Sequence, residues 1–151
     1  MSFGIKTIFQ RNYVRYEGVR PINIYLLRLL YTLMFFVLGK DVWTHIFNYQ
    51  GEWNPMDAVA WCVWAAFASL AGLGIFYPLK MIPILLVEVF YKLLWLLLVA
   101  YPLWSKGQLA GSSAEGITDA FLFVLLPIVA IPWKYVLVYY ILNRKLAAEI
   151  R

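Results

Sequence analysis

Four long apolar segments constrain the fold of this chain more than any other feature of its sequence. They extend over about residues 22–46, 55–77, 82–102 and 118–142, and a helix needs roughly 20 residues to cross the hydrocarbon of a bilayer. Apolar residues make up 64% of the 151 residues and charged residues only 14%, which excludes an ordinary soluble domain. We therefore predict an all-α polytopic membrane protein whose transmembrane domain is a four-helix bundle.

Capping residues and prolines predict where these spans begin. Asn23 is expected to cap the first span and Thr118 the fourth, because both residue types accept hydrogen bonds from free backbone N–H groups. Asn54, Pro55 and Asp57 place a capping residue, a first-turn proline and an acid at the start of the second span. The sequence thus gives defined starting points for spans that composition alone locates only coarsely.

Prolines and small residues predict bends and packing faces within the spans. Pro127 and Pro132 lie inside the fourth span, where each removes a backbone donor and is expected to bend the helix. Small residues recur at helical spacing in the second span and predict a face that packs against another helix or another protomer. This face consists of Ala65, Ala68, Ser69, Gly72 and Gly74.

The distribution of Lys and Arg outside the spans predicts the orientation of the chain. Eight of these residues fall on one side and only Lys106 on the other, so the positive-inside rule places both termini in the cytoplasm. We predict a multi-pass protein of the inner (plasma) membrane, with a basic segment at 1–21, a transmembrane domain at 22–142 and a basic tail at 143–151. The eight residues on the predicted cytoplasmic side are Lys6, Arg11, Arg15, Arg20, Lys80, Arg144, Lys145 and Arg151.

Four charged side chains lie within the predicted spans, where each costs about 2.5–3.5 kcal/mol on insertion scales. At 1.5 Å per residue, Arg28 and Glu88 lie roughly 9 Å from the cytoplasmic end, Lys134 roughly 12 Å and Lys92 roughly 15 Å. Glu88 and Lys92 are four residues apart and share a helix face. We predict that the four charges line a ligand-binding cavity in the cytoplasmic half of the bundle, with Glu88 orienting the cations and Lys92 meeting the ligand.

In a second interpretation, the four charged side chains have only structural roles and bind no ligand. In that interpretation Arg28 and Lys134 extend to the lipid headgroups, and Glu88 and Lys92 neutralise each other.

A second polar cluster is expected near the outer ends of the spans, at Lys40, Asp41, His45, Asp57 and Asp119. His45 with nearby carboxylates could bind a metal or relay protons. The sequence contains no metal-ligand spacing motif, so we assign no metal site. The simpler interpretation is that Asp57 and Asp119 are acids at helix N-termini, where the helix dipole favours them, and that Lys40 pairs locally.

Parts of the sequence resemble the DoxX-like bacterial membrane proteins. The first span matches that family at Leu27, Arg28, Leu29, Gly39 and Lys40, and the segment GIFYPLK, which ends at Lys80, is similar to its short basic turn. The resemblance implies a small four-helix protein of the bacterial inner membrane, often an accessory to redox or stress systems. It carries over no catalytic residue.

Three function hypotheses follow from these features. The leading one is a non-enzymatic membrane protein that binds a lipid, a lipophilic ligand or a partner subunit through its polar-lined cavity. The second is an oligomeric channel or transporter for a small ion or anionic solute, and the third is a membrane enzyme acting on a lipid or quinone. We expect no cofactor, no metal and no catalytic residue. The expected partners are membrane lipids and either further copies of the chain or a larger membrane complex, and nucleic acid is not among them.

Overall fold

The computed structural model describes residues 16–142, and the regular elements within this range are helices. Helix α1 is Pro21–Asn48, α2 is Pro55–Phe76, α3 is Ile82–Ser105, α4 is Glu115–Ala130 and α5 is Trp133–Ile141. Helices α1, α2 and α3 are each long and apolar enough to cross a membrane, and α4 with α5 adds a fourth span if the pair crosses as one. These helices indicate a multi-pass membrane protein. The basic tail at 143–151 and most of the basic N-terminal segment lie outside the described residues.

The predicted start of the second span is confirmed in atomic detail. The side-chain oxygen of Asn54 accepts hydrogen bonds from the backbone N–H groups of Met56 and Asp57, at 2.9 and 3.4 Å. Pro55 occupies the first helical position and Asp57 the first turn. These contacts satisfy two donors that the helix itself leaves unpaired.

The predicted caps of the first and fourth spans are wrong. Helix α1 begins at Pro21 with Arg20 as its N-cap, so Asn23 lies inside the first turn. Helix α4 begins at Glu115, and Thr118 is buried within it, where its hydroxyl donates to the carbonyl of Ala114 at 2.7 Å. Asn23 and Thr118 are therefore residues of a type that often caps helices, but each lies at a position where its helix has already started.

Helix α3 continues past Pro102, which the sequence placed at the end of the third span. The chain forms a wider π-type turn at Leu96–Ala100, which ends two residues before the proline. The helix ends in a Schellman motif. Gly107 has a φ of 67°, and the N–H groups of Gly107 and Gln108 donate to the carbonyls of Trp104 and Leu103, both at 2.9 Å.

The predicted fourth span is not one continuous helix. A turn at Phe123 and Val124 interrupts α4 just before Pro127, and a second interruption at Ile131 and Pro132 separates α4 from α5. Each proline lacks the N–H that would continue the helical hydrogen-bond ladder. The sequence predicted bends at the two prolines, and the structure shows interruptions of the helix near them instead.

The chain forms two compact units. Among the described residues, the first contains 16–82 together with 130–142, and the second contains Pro83–Val129. Helices α1, α2 and α5 thus belong to the first unit, whereas almost all of α3 and α4 belongs to the second.

The small residues of α2 pack against α1, as their spacing predicts. The ring of Tyr31 covers Gly74, and the ring of Phe35 covers Gly72 so closely that an added Cβ would lie 2.9 Å from a ring atom. A Cβ added to Gly39 would lie 3.7 Å from the Cβ of Ala68, which is ordinary van der Waals contact. Small side chains on α2 thus let the large side chains of α1 approach the backbone.

Aromatic packing joins α3 and α4 within the second unit. The buried ring of Phe121 makes edge contacts with Tyr91 and Trp95, at centroid separations of 5.6 and 5.0 Å. Such edge-to-face pairs are favoured by the quadrupoles of the rings.

Large apolar side chains are exposed along every helix. In a membrane protein this surface meets acyl chains rather than water, so its exposure carries no aggregation penalty of the kind expected in a soluble protein. Residues that are at least half exposed include Leu29, Phe36, Val37, Phe47, Val59, Phe76, Phe90, Leu97, Leu98, Phe123, Leu125 and Val129.

Candidate functional site

The candidate site is a cavity in the first unit, at the interruption between α4 and α5. Its volume is about 280 Å³. One wall is formed by the turn that precedes α1 and by the first turn of α1, and the other by the interruption and the start of α5. The lining residues are Glu17, Gly18, Val19, Arg20, Asn23, Ile131, Pro132, Trp133, Lys134, Tyr135 and Val138.

The turn before α1 is held in place by backbone geometry and by a long-range hydrogen bond. Glu17 and Gly18 both have positive φ angles, of 52° and 79°, and the N–H of Val19 donates to the carbonyl of Tyr16 at 2.8 Å. The hydroxyl of Tyr135, on α5, donates to a carboxylate oxygen of Glu17 at 2.9 Å. This hydrogen bond links the turn before α1 to α5, and so connects the two walls of the cavity.

A second bond between the walls involves the end of α4. The side-chain amide of Asn23 donates to the carbonyl of Ala130 at 3.1 Å. Ala130 is the last residue of α4, and the break that follows it removes the usual helical donor to its carbonyl. Asn23, predicted as an N-cap of α1, instead satisfies the C-terminal end of another helix.

The charge of the cavity wall is positive. Arg20 and Lys134 contribute two cations and Glu17 one carboxylate, which leaves a net charge of +1 among these three side chains. Arg20 and Lys134 are both exposed, so a group that enters the cavity can reach them. Helices α1 and α5 also begin at this wall, and a helix N-terminus carries a partial positive charge. The arrangement is suited to an anionic or strongly polar group.

The predicted inner charges have different environments. Lys134 lines the cavity. Arg28 is exposed on α1 and lies outside the cavity lining, and its backbone carbonyl accepts from the Thr32 hydroxyl at 2.8 Å. Arg28 and Lys134 belong to the first unit, and Glu88 and Lys92 to the second. One chamber lined by all four charges stays a prediction.

Glu88 and Lys92 form the ion pair that their spacing predicts. The Lys92 ammonium lies 2.6 Å from Oε1 of Glu88, and the two side chains are only 14% and 6% exposed. The ammonium also lies 5.7 Å from the centre of the Phe121 ring, within cation–π range. Oε2 of Glu88 is buried and has no hydrogen-bond partner within residues 16–142. The pair is thus closely associated but incompletely satisfied.

The predicted outer cluster contains a packed aromatic group around His45. The His45 ring stacks on Trp61 at a centroid separation of 3.7 Å and an interplanar angle of 12°. Trp53 approaches the His45 edge at 5.8 Å, and Tyr49 stacks on Trp53 at 4.0 Å. Asp41 and His45 share the wall of a shallow depression. His45 therefore packs as an aromatic ring.

The remaining members of the predicted outer cluster belong to both units, with Lys40 and Asp57 in the first and Asp119 in the second. Lys40, Asp57 and Asp119 are exposed. Asp57 is an N-terminal acid of α2 as expected, but the expectation for Asp119 is wrong, because α4 begins at Glu115 and this glutamate is its first-turn acid. Among residues 16–142, no three His, Cys, Asp or Glu side chains are grouped so that they could hold a metal ion.

Sequence reasoning missed most of the cavity because its walls are far apart along the chain. Glu17 and Tyr135 are 118 residues apart. Glu17 lies in the predicted basic N-terminal segment, and Tyr135 lies in the predicted fourth span. The available signals were Gly18, which permits the tight turn, and Pro132, which breaks the span. Neither signal indicates that the two segments meet.

Comparison with known proteins adds no relative: no protein-family model, curated protein or solved structure matches the chain.

Proposed function

We propose that this chain is a non-enzymatic, four-span membrane protein that holds a lipid or a similar lipophilic ligand in the cavity between the turn before α1 and the start of α5. The observation that carries the proposal is the composition of that cavity. Arg20, Lys134 and Asn23 supply polar groups, while Ile131 and Val138 supply apolar ones. A lipid has the same combination of a polar headgroup and apolar chains.

The proposal takes α4 and α5 as one interrupted span and places both termini in the cytoplasm. Arg20 then lies at the inner interface, since it precedes the first span and belongs to the basic side of the chain. The same interface holds the headgroups of the inner leaflet. Basic pockets between helices on this side of a membrane are suited to lipid headgroups.

In this proposal Lys134 keeps the ligand-binding role that was predicted from the sequence, and Arg20 is added to it. The participation of Arg28, Glu88 and Lys92 in ligand binding stays a prediction. Membership of a DoxX-like family likewise stays an expectation from the resemblance of the first span and the GIFYPLK turn.

Native mass spectrometry after mild detergent extraction tests the proposal. The variant Val138→Phe enlarges a side chain that lines the cavity, whereas Leu137→Phe enlarges its neighbour, which is 51% exposed. We expect the parent protein and Leu137→Phe to retain a bound lipid and Val138→Phe to lose it. Equal lipid retention by a well-folded Val138→Phe would contradict the proposal.

A further inference from the structure

From the charges of the cavity wall we infer that the ligand is a lipid whose headgroup is a phosphodiester with a single negative charge, of the phosphatidylglycerol class. This inference rests on the proposed function and specifies the ligand of the same site. It depends on the balance between Arg20, Lys134 and Glu17, which all line the cavity.

The two cations are of complementary kinds. The guanidinium of Arg20 is planar and presents several N–H donors that can engage two phosphate oxygens at once. The ammonium of Lys134 is a compact charge that donates in any direction. Both side chains are exposed, so neither is withdrawn from an entering phosphate by burial. The two side chains thus offer both bidentate donation and a compact charge to phosphate oxygens.

Glu17 sets the number of charges that the cavity can accept. Its negative carboxylate lowers the summed charge of the three side chains from +2 to +1. A net charge of +1 balances the single negative charge of a phosphodiester. A phosphomonoester carries between one and two negative charges near neutral pH, and its second charge would face Glu17 without a matching cation. The cavity should therefore prefer a phosphodiester headgroup to phosphatidic acid.

Tyr135 keeps Glu17 in this position. Its hydroxyl donates to the Glu17 carboxylate, which directs the hydroxyl's proton to the acid and away from the ligand. The variant Glu17→Gln keeps an acceptor for Tyr135 but removes the negative charge. It raises the net charge of the three side chains from +1 to +2 and provides a specific test of the charge balance.

The test titrates the protein, solubilised in a mild detergent, with phosphatidylcholine, phosphatidylglycerol or phosphatidic acid and measures the bound lipid by native mass spectrometry. One cation near a membrane surface contributes about fivefold in affinity for anionic lipid. We expect Arg20→Gln and Lys134→Gln each to weaken phosphatidylglycerol binding by about that factor. The matched control is Lys80→Gln, which removes a cation from the same predicted side but outside the cavity lining and should leave binding unchanged.

The variant Glu17→Gln should strengthen phosphatidic acid binding relative to phosphatidylglycerol. Glycerophosphoglycerol, the headgroup without acyl chains, should compete only weakly. If it competes as well as the intact lipid, the ligand is a free phosphodiester and the lipid assignment is overturned.

Two further results separate this inference from the proposed function. If phosphatidylcholine binds as tightly as phosphatidylglycerol while Val138→Phe still abolishes binding, the headgroup assignment fails and the proposed function survives. If Val138→Phe leaves binding of every lipid unchanged, both fail.

Discussion

The ring of Tyr31 occupies the space that a side chain on Gly74 would need. A Cβ built on Gly74 would lie 2.5 Å from two atoms of the ring, well inside van der Waals contact. Tyr31 is completely buried, and its hydroxyl donates to the carbonyl of Pro78 at 3.2 Å. The ring therefore cannot move aside without losing this bond and its packing. The contact fixes how closely α1 and α2 approach each other.

The variant Gly74→Ala should therefore destabilise the protein by about 1–3 kcal/mol, the usual cost of overpacking a well-filled interior. Thermal unfolding in mild detergent measures the effect. Gly116→Ala is the matched control, because nothing lies within 4 Å of the Cβ that it adds, and it should be neutral or stabilising by up to about 1 kcal/mol. Equal stability of the two variants would contradict the packing described for α1 and α2.

A second prediction concerns the ion pair of Glu88 and Lys92. Lys92→Met leaves the buried carboxylate of Glu88 without its partner and should cost about 3–5 kcal/mol. The double variant Glu88→Leu with Lys92→Met removes both charges and should recover most of the loss. Thermal unfolding of the parent, the single variant and the double variant measures this. A double variant no more stable than Lys92→Met would show that the loss in the single variant does not come from an unpaired buried carboxylate.

The packing of His45 gives a third prediction. Because its ring stacks on Trp61, His45→Phe should retain most of the stability, whereas His45→Ala should lose about 0.5–1.5 kcal/mol beyond the loss of buried area. Unfolding temperatures of the two variants test this directly. If His45→Phe is as damaging as His45→Ala, the imidazole nitrogens have a role that stacking does not explain.

Pro132 provides a fourth prediction, because it lies at the interruption that forms one wall of the cavity. Pro132→Ala restores a backbone donor, allows α4 to continue towards α5 and should reduce the lipid retained after mild extraction. Pro127→Ala changes the other proline of the fourth span and leaves residues 131 and 132 unaltered. Retained lipid, counted by native mass spectrometry, should fall more for Pro132→Ala than for Pro127→Ala. The reverse order would show that the interruption does not shape the site.

Local signals in the sequence predicted the elements that depend on local physics. The apolar segments predicted the three long helices, the Asn54 and Pro55 pair predicted the start of α2, and the four-residue spacing of Glu88 and Lys92 predicted their ion pair. In each case the interacting groups are within a few residues of each other, so helical geometry alone brings them together.

Features that depend on tertiary contacts could not be predicted in this way. Asn23 and Thr118 have the residue type of a helix cap, but Asn23 bonds to Ala130 across 107 residues and Thr118 lies inside α4. The cavity requires the turn at Glu17 to meet the start of α5 near Tyr135. Hydrophobic periodicity and composition contain no information about which distant segments meet.

We propose above that a lipid occupies the cavity between the turn before α1 and the start of α5. The most direct measurement is photocrosslinking in native membranes with a lipid that carries a photoreactive group near its headgroup, followed by mapping of the labelled peptides. We expect labelling to be concentrated at residues 17–23 and 131–138, and to be reduced in Val138→Phe. Labelling spread evenly over the exposed apolar faces of α1, α2 and α3, and unchanged in that variant, would contradict it.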